Sequence, residues 1–170
     1  MENKPQLLKI GESIVFAQHG VDYQMEPNKV YTVDYDRYAE QIKLKEAPNL
    51  QLPSNLYITK EDEKFMKRVL NNFSKSEKST GVMLAGTKGT GKTVMAKQLA
   101  LTSNLPIILI DKSLRPCYLK TLFNKLSTLS VCVIFVIIYS IFIDRPYYPY
   151  CFVRTLISDK KINEFFFYRI

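Results

Sequence analysis

From Val30 to Tyr35 the side chains alternate, with Tyr31, Val33 and Tyr35 on one face and Thr32 and Asp34 on the other, and this period of two predicts a half-buried strand. Ile42-Lys43-Leu44-Lys45 alternates again beyond the polar Asp36 and Arg37. A hairpin over roughly 30–45 is the expected result. Ile14 to Ala17 forms a short apolar run. Met1 to Ile10 mixes charge and proline and lacks the basic, apolar, small-residue order of a secretory signal, so no targeting segment is read there. Residues 47–55, with Pro48 and Pro53, read as a linker that closes a small β-rich segment over 1–55.

The period then changes. Phe65, Met66, Val69, Leu70 and Phe73 recur at helical spacing. Thr59 stands where a cap belongs, and Glu61, Asp62 and Glu63 occupy the first turn, where the helix dipole favours negative charge. A polar turn follows from Ser74 to Thr80, and then the apolar run Gly81-Val82-Met83-Leu84-Ala85.

That run leads into Gly86-Thr87-Lys88-Gly89-Thr90-Gly91-Lys92-Thr93, which satisfies G-x-x-x-x-G-K-[ST] at every fixed position. To wrap an anion in successive backbone N–H groups, the chain must adopt dihedrals that a Cβ resists, hence the glycines. In this pattern Lys92 reaches the β- and γ-phosphates and is the candidate catalytic side chain. The Thr93 hydroxyl is the candidate Mg²⁺ ligand. Residues 86–93 together form the candidate nucleotide-binding loop, with a nucleoside triphosphate and Mg²⁺ as the implied ligands, ATP being the nucleotide that the family resemblance given below implies. A helix over about 92–102 points its positive end at the phosphates. Leu105 to Asp111 reads as the next strand of the βαβ unit, not one beside the phosphate-loop strand. Asp111 is then a strand-end acid. A helix over 113–128 has Pro116 in its first turn, and Val131 to Phe135 reads as a further strand.

Gly89-Thr90-Gly91-Lys92-Thr93 resembles the G-T-G-K-T core of AAA+ ATPases, and phage-type members are similar in general character. Thr87 and Lys88 stand where those proteins usually carry prolines. The likeness covers about residues 57–135. It implies an α/β fold: a P-loop NTPase core with a three-layer parallel sheet, here incomplete, over 56–135, preceded by the small β-rich segment. It also implies ATP hydrolysis coupled to remodelling of a protein or nucleic-acid partner, a homo-oligomer when the module is complete, and an arginine borrowed from a neighbouring subunit. The competing GTPase reading rests on Asn124-Lys125-Leu126-Ser127, which lacks the final Asp of N-K-x-D and falls inside a helical pattern.

The resemblance requires Asp-Glu directly after the strand at 131–135, and the sequence has Val136-Ile137-Ile138. Without the Glu no carboxylate orients the attacking water. Asp144 ends another apolar run, but Arg145 follows it.

Composition sharpens this break. Of 24 Lys and Arg and 16 Asp and Glu, residues 1–80 hold 12 of each, so residues 81–170 hold 12 basic and 4 acidic residues. The excess of +8 is therefore regional, and with Lys88 and Lys92 in the loop and the rest scattered it forms no basic stripe for DNA. Residues 131–170 carry 11 of the 21 Phe and Tyr, and no glycine follows Gly91. Residues 136–170 thus form an atypical hydrophobic and aromatic tail, with three readings: read-through beyond an interruption near Phe135, a transmembrane stretch at the uncharged 126–143, or buried strands. Lys and Arg flank 126–143 on both sides, and a membrane partner is not expected. Cys117, Cys132 and Cys151 are odd in number and widely spaced, which suits reduced thiols in the cytoplasm. A single histidine, His19, gives a zinc site little to build on. An ATPase domain deficient in hydrolysis is the leading expectation. A membrane-anchored P-loop protein and a non-catalytic nucleotide-binding fragment remain the alternatives.

Overall fold

The computed structural model describes residues 6–17, 23–75, 79–85, 89–110, 116–127, 129–137, 150–156 and 162–169. Strands β1 (Gln6–Ile10), β2 (Ser13–Ala17), β3 (Val30–Asp36) and β4 (Gln41–Ala47) precede helix α1 (Lys60–Lys75). Strand β5 (Ser79–Ala85), helix α2 (Lys92–Thr102), strand β6 (Ile107–Ile110), helix α3 (Pro116–Leu126) and strand β7 (Val131–Ile137) follow in alternation, and β8 (Tyr150–Leu156) and β9 (Ile162–Arg169) complete the set. They form one sheet in the order β1-β2-β4-β3-β6-β7-β8-β5-β9.

The alternating segments pair as their period predicts. β3 and β4 run antiparallel from Val30↔Ala47 to Asp36↔Gln41. Asp36 closes the hairpin by accepting the N–H groups of Tyr38 and Ala39 on Oδ1 at 2.9 and 3.1 Å. Gly11, at φ +59, turns β1 into β2. β3 then lies parallel to β6, with Val30 opposite Ile107. Below the ladder, Asn28 N–H donates to the Leu105 carbonyl at 3.0 Å and Ile107 N–H to the Lys29 carbonyl at 2.9 Å. The β-rich segment and the phosphate-loop half are therefore continuous through one sheet.

Two apolar layers flank that sheet. On one face Val30, Ile107, Cys132 and Ile134 pack with Val82 and Leu84 against Phe65, Met66 and Val69 of α1 and Met95, Ala96, Leu99 and Ala100 of α2. On the other, Tyr31, Val33, Ile108, Ile110, Val131 and Val133 pack against Leu122 and Leu126 of α3. Tyr35 stacks on Tyr118 with ring centroids 3.8 Å apart. Ile107 and Ile108, or Cys132 and Val133, sit on opposite faces because successive strand side chains do so. Both faces are covered, which explains the unbroken apolar runs in β6 and β7.

A parallel sheet is the sequence expectation, and the observed sheet corrects it. β3·β6, β6·β7 and β5·β9 are parallel, but β8 runs antiparallel to both β7 and β5. A parallel neighbour requires a crossover, whereas β8 returns alongside β7. The transmembrane reading of 126–143 is corrected as well. α3 ends at Leu126 and 131–137 is a strand paired to β6, because β-branched residues favour a pleated ladder. Among the described residues no helix is long and apolar enough to cross a membrane.

The start of α1 is a reciprocal cap. Thr59 Oγ1 accepts the Asp62 N–H at 3.1 Å, while Asp62 Oδ2 accepts the Thr59 N–H at 3.2 Å and its hydroxyl at 2.6 Å. Thr59→Ala removes the side-chain half of this arrangement, and urea denaturation should show a loss of about 1 kcal/mol.

The N-terminal strands also carry a charge cluster with a defined pH signature. Glu46 accepts from Lys9, from Lys29 at 2.9 Å and from the Tyr23 hydroxyl at 3.2 Å. The Lys9 ammonium first, then Lys29, holds its carboxyl down to about 2 from an ordinary 4.5. A depressed carboxylate stabilises the folded chain fully above the unfolded value, and the contribution is lost as pH falls through the folded one. The thermal midpoint should therefore fall between pH 4.5 and 2. The fall should be shallower in Glu46→Gln, with a residual slope from Asp36, itself held at about 2 chiefly by Lys43.

Candidate functional site

β5 delivers the chain to the loop and α2 takes it away. Thr80, Val82, Leu84 and Ala85 are buried, so the strand end is anchored in the sheet. Gly89 stands at φ +91 and Gly91 at φ +82, ψ 5, both in the left-handed region. A Cβ built on either would meet nothing within 4 Å. The glycines are therefore required by backbone conformation and not by crowding, in agreement with the reading of the motif.

Gly91 is also the N-cap of α2. It provides no side chain to cap the helix, and no acid lies in the first turn. The first turn of α2 thus carries no acid of its own against the positive end of the helix, an arrangement that suits an anion. The Gly91 carbonyl accepts the Met95 N–H at 2.9 Å, so the helix is wound from its first turn. Lys92 is only 7 % exposed, with Nζ 3.3 Å from Thr90 Oγ1. Thr93 is exposed. At successive positions, then, the lysine points into the protein and the threonine to the surface at the start of α2. Of the predicted loop residues, Gly89, Thr90, Gly91, Lys92 and Thr93 are thus brought together at the turn into α2. Gly86, Thr87 and Lys88 lie outside the described residues, as do Asp111 and Asp144, the two acids weighed for Mg²⁺.

A cleft of about 190 Å³ opens beside this turn. Its floor is one face of α2, through Gly91, Val94, Met95 and Gln98, and its walls are Asp62 and Met66 of α1 and the segment 53–58. Lys97 ties the chain just ahead of that segment to the helix by donating to the Gln51 carbonyl at 3.3 Å. The Thr59 cap fixes the Asp62 wall. Sequence reading treated residues 47–55 as a linker only and missed this lining. One signal was available: Gly91, Val94, Met95 and Gln98 fall at i, i+3, i+4 and i+7, so whatever lies along the helix beyond the loop shares a face with it.

Toward the opposite end of the motif, β7 runs to Ile137 and pairs with β8 through Val136↔Cys151 and Ile137↔Tyr150. Positions 136 and 137, where Asp-Glu is expected, are strand residues with apolar side chains. Asn124 and Lys125 lie within α3, where Ser127 Oγ donates to the Asn124 carbonyl at 2.7 Å, not in a base-reading loop. Cys132 is free and buried, and burial pushes its thiol up to about 12. It is therefore a packing residue and not a nucleophile. Among the described residues no cluster of His, Cys, Asp and Glu could hold a metal ion.

Residues 82–137, from β5 to the end of β7, match the family model described as AAA, ATPase family associated with various cellular activities. No curated protein matches the chain, and no solved structure matches it. The family match supports an AAA-type ATPase fragment with a nucleotide-binding domain, and that family uses ATP.

Proposed function

We propose that this chain binds Mg-ATP through residues 86–93 as the nucleotide-binding part of an AAA-type ATPase, in a three-layer P-loop core. The observation that carries this reading is the turn into α2: two left-handed glycines, a helix start with neither side-chain cap nor acid, and a buried Lys92 behind them. Each feature suits a polyphosphate.

The residues present fit the cofactor. Lys92 neutralises charge at the β- and γ-phosphates, and Thr93, exposed at the rim, offers its hydroxyl to Mg²⁺. Magnesium, when bound, supplies charge neutralisation between the terminal phosphates. The cleft over α2 continues from Thr90 and Gly91 and receives the base. Apolar side chains at positions 136 and 137 favour binding over turnover, so the nucleotide acts here chiefly as a bound ligand. The full activity, ATP-driven remodelling of a protein or nucleic-acid partner by an oligomer, belongs to an assembly in which neighbouring subunits complete the site.

Calorimetric titration of the 170-residue chain with Mg-ATP tests the reading. Saturable binding at one site per chain is expected, and the absence of any binding up to millimolar nucleotide would sink it.

A further inference from the structure

We infer that Gln98 reads the base and selects adenine over guanine nucleotides, an inference that rests on the base occupying the cleft over α2. Gln98 follows the N-cap Gly91 by two turns of helix on the same face, about 10 Å along the axis. A nucleotide anchored by its phosphates at the helix start spans that distance with its ribose and places an edge of the base at Gln98.

Of the other polar side chains of the lining, two are committed elsewhere, and Tyr57 is exposed at the rim. Asp62 Oδ2 holds the Thr59 cap, and Thr90 Oγ1 faces the Lys92 ammonium. Asn55 is exposed at the rim. Gln98 is half-buried, and among the described residues its carboxamide has no hydrogen bond, the Thr102 hydroxyl donating only to its backbone carbonyl at 2.8 Å. Val94, Met95 and Met66 supply apolar surface beside it for the faces of a ring.

The chemistry of a carboxamide then decides between bases. Its carbonyl accepts from the adenine N6 amino group while its amide N–H donates to N7, a two-bond match. Guanine presents two acceptors along the same edge, O6 and N7, so the Gln98 carbonyl would face O6 with no proton between them. A lysine, being a donor only, suits guanine and not adenine.

The test compares dissociation constants of Mg-ATP and Mg-GTP for the wild-type chain, Gln98→Leu, Gln98→Lys and Lys92→Ala. Wild type should prefer ATP by about ten-fold or more, Gln98→Leu should lose most of that preference, and Gln98→Lys should shift it toward GTP. A gain of GTP affinity cannot come from misfolding, so the lysine variant keeps the test informative if the leucine variant is unstable. If ATP binding depends on Lys92 but the ATP to GTP ratio is the same in all Gln98 variants, Gln98 has no part in selection and the phosphate-site reading stands. If neither nucleotide binds the wild type, both fall.

Discussion

Lys92→Ala is expected to weaken Mg-ATP binding roughly ten- to a hundred-fold, the effect of losing one charge-assisted hydrogen bond of about 1.5 to 3 kcal/mol. The Lys92 side chain is buried at the turn into α2 with its ammonium beside Thr90 Oγ1, where a phosphate bound at the helix start would meet it. Lys88→Ala should cost less, since its position varies in the motif. A second readout separates loss of the ligand from loss of the fold. Mg-ATP should raise the thermal midpoint of the wild type, as any ligand of the native state does, and should not raise that of Lys92→Ala at the same concentration. An unchanged dissociation constant would refute the assignment of the loop.

Much of this architecture is legible because local periodicity and tertiary burial agree. The alternation at 30–35 and 42–45 becomes β3 and β4, Thr59 caps α1, and α2 spans the residues read for it. β6 is indeed separated from β5, as the length of its crossover implies. Strand β1 was obscured by its mixture of charge and apolar residues. Leu7 alone is buried there, while Lys9 reaches out to Glu46.

What could not be read is the pairing of distant segments. Nothing in Val30-Tyr31-Thr32 announces Ile107-Ile108-Leu109 as its parallel neighbour, since apolar strands of like period are interchangeable until a register is imposed by packing. The antiparallel direction of β8 was hidden for the same reason. At the site, the motif specifies phosphate chemistry because backbone dihedrals and a lysine at fixed spacing leave a sequence signature. The cleft over α2 leaves only the spacing of Gly91, Val94, Met95 and Gln98 along one helix face. Its walls come from residues 53–58, α1 and α2, which only the tertiary fold brings together.

Turnover should separate from binding. Phosphoryl transfer depends on positioning and charge stabilisation, so a loop with Lys92 and Thr93 can hold Mg-ATP while the attacking water stays unoriented. The chain continues as strand through Val136 and Ile137, where the resemblance to AAA+ ATPases requires Asp and Glu, and a hydrocarbon side chain neither accepts a proton nor aligns a water. The isolated chain should therefore hydrolyse ATP on the order of a thousand-fold or more below a typical turnover of about 10 per second. Replacing Val136-Ile137 by Asp-Glu should not restore the rate. Both positions are paired to β8, so new carboxylates would be introduced into a strand, and the arginine implied by the resemblance must come from a neighbouring subunit. Co-assembly with an intact homologue is the condition under which phosphate release should rise. Robust phosphate release from the isolated chain, abolished by Lys92→Ala, would overturn this expectation and direct attention to Asp111 or Asp144 as the acid that completes the site.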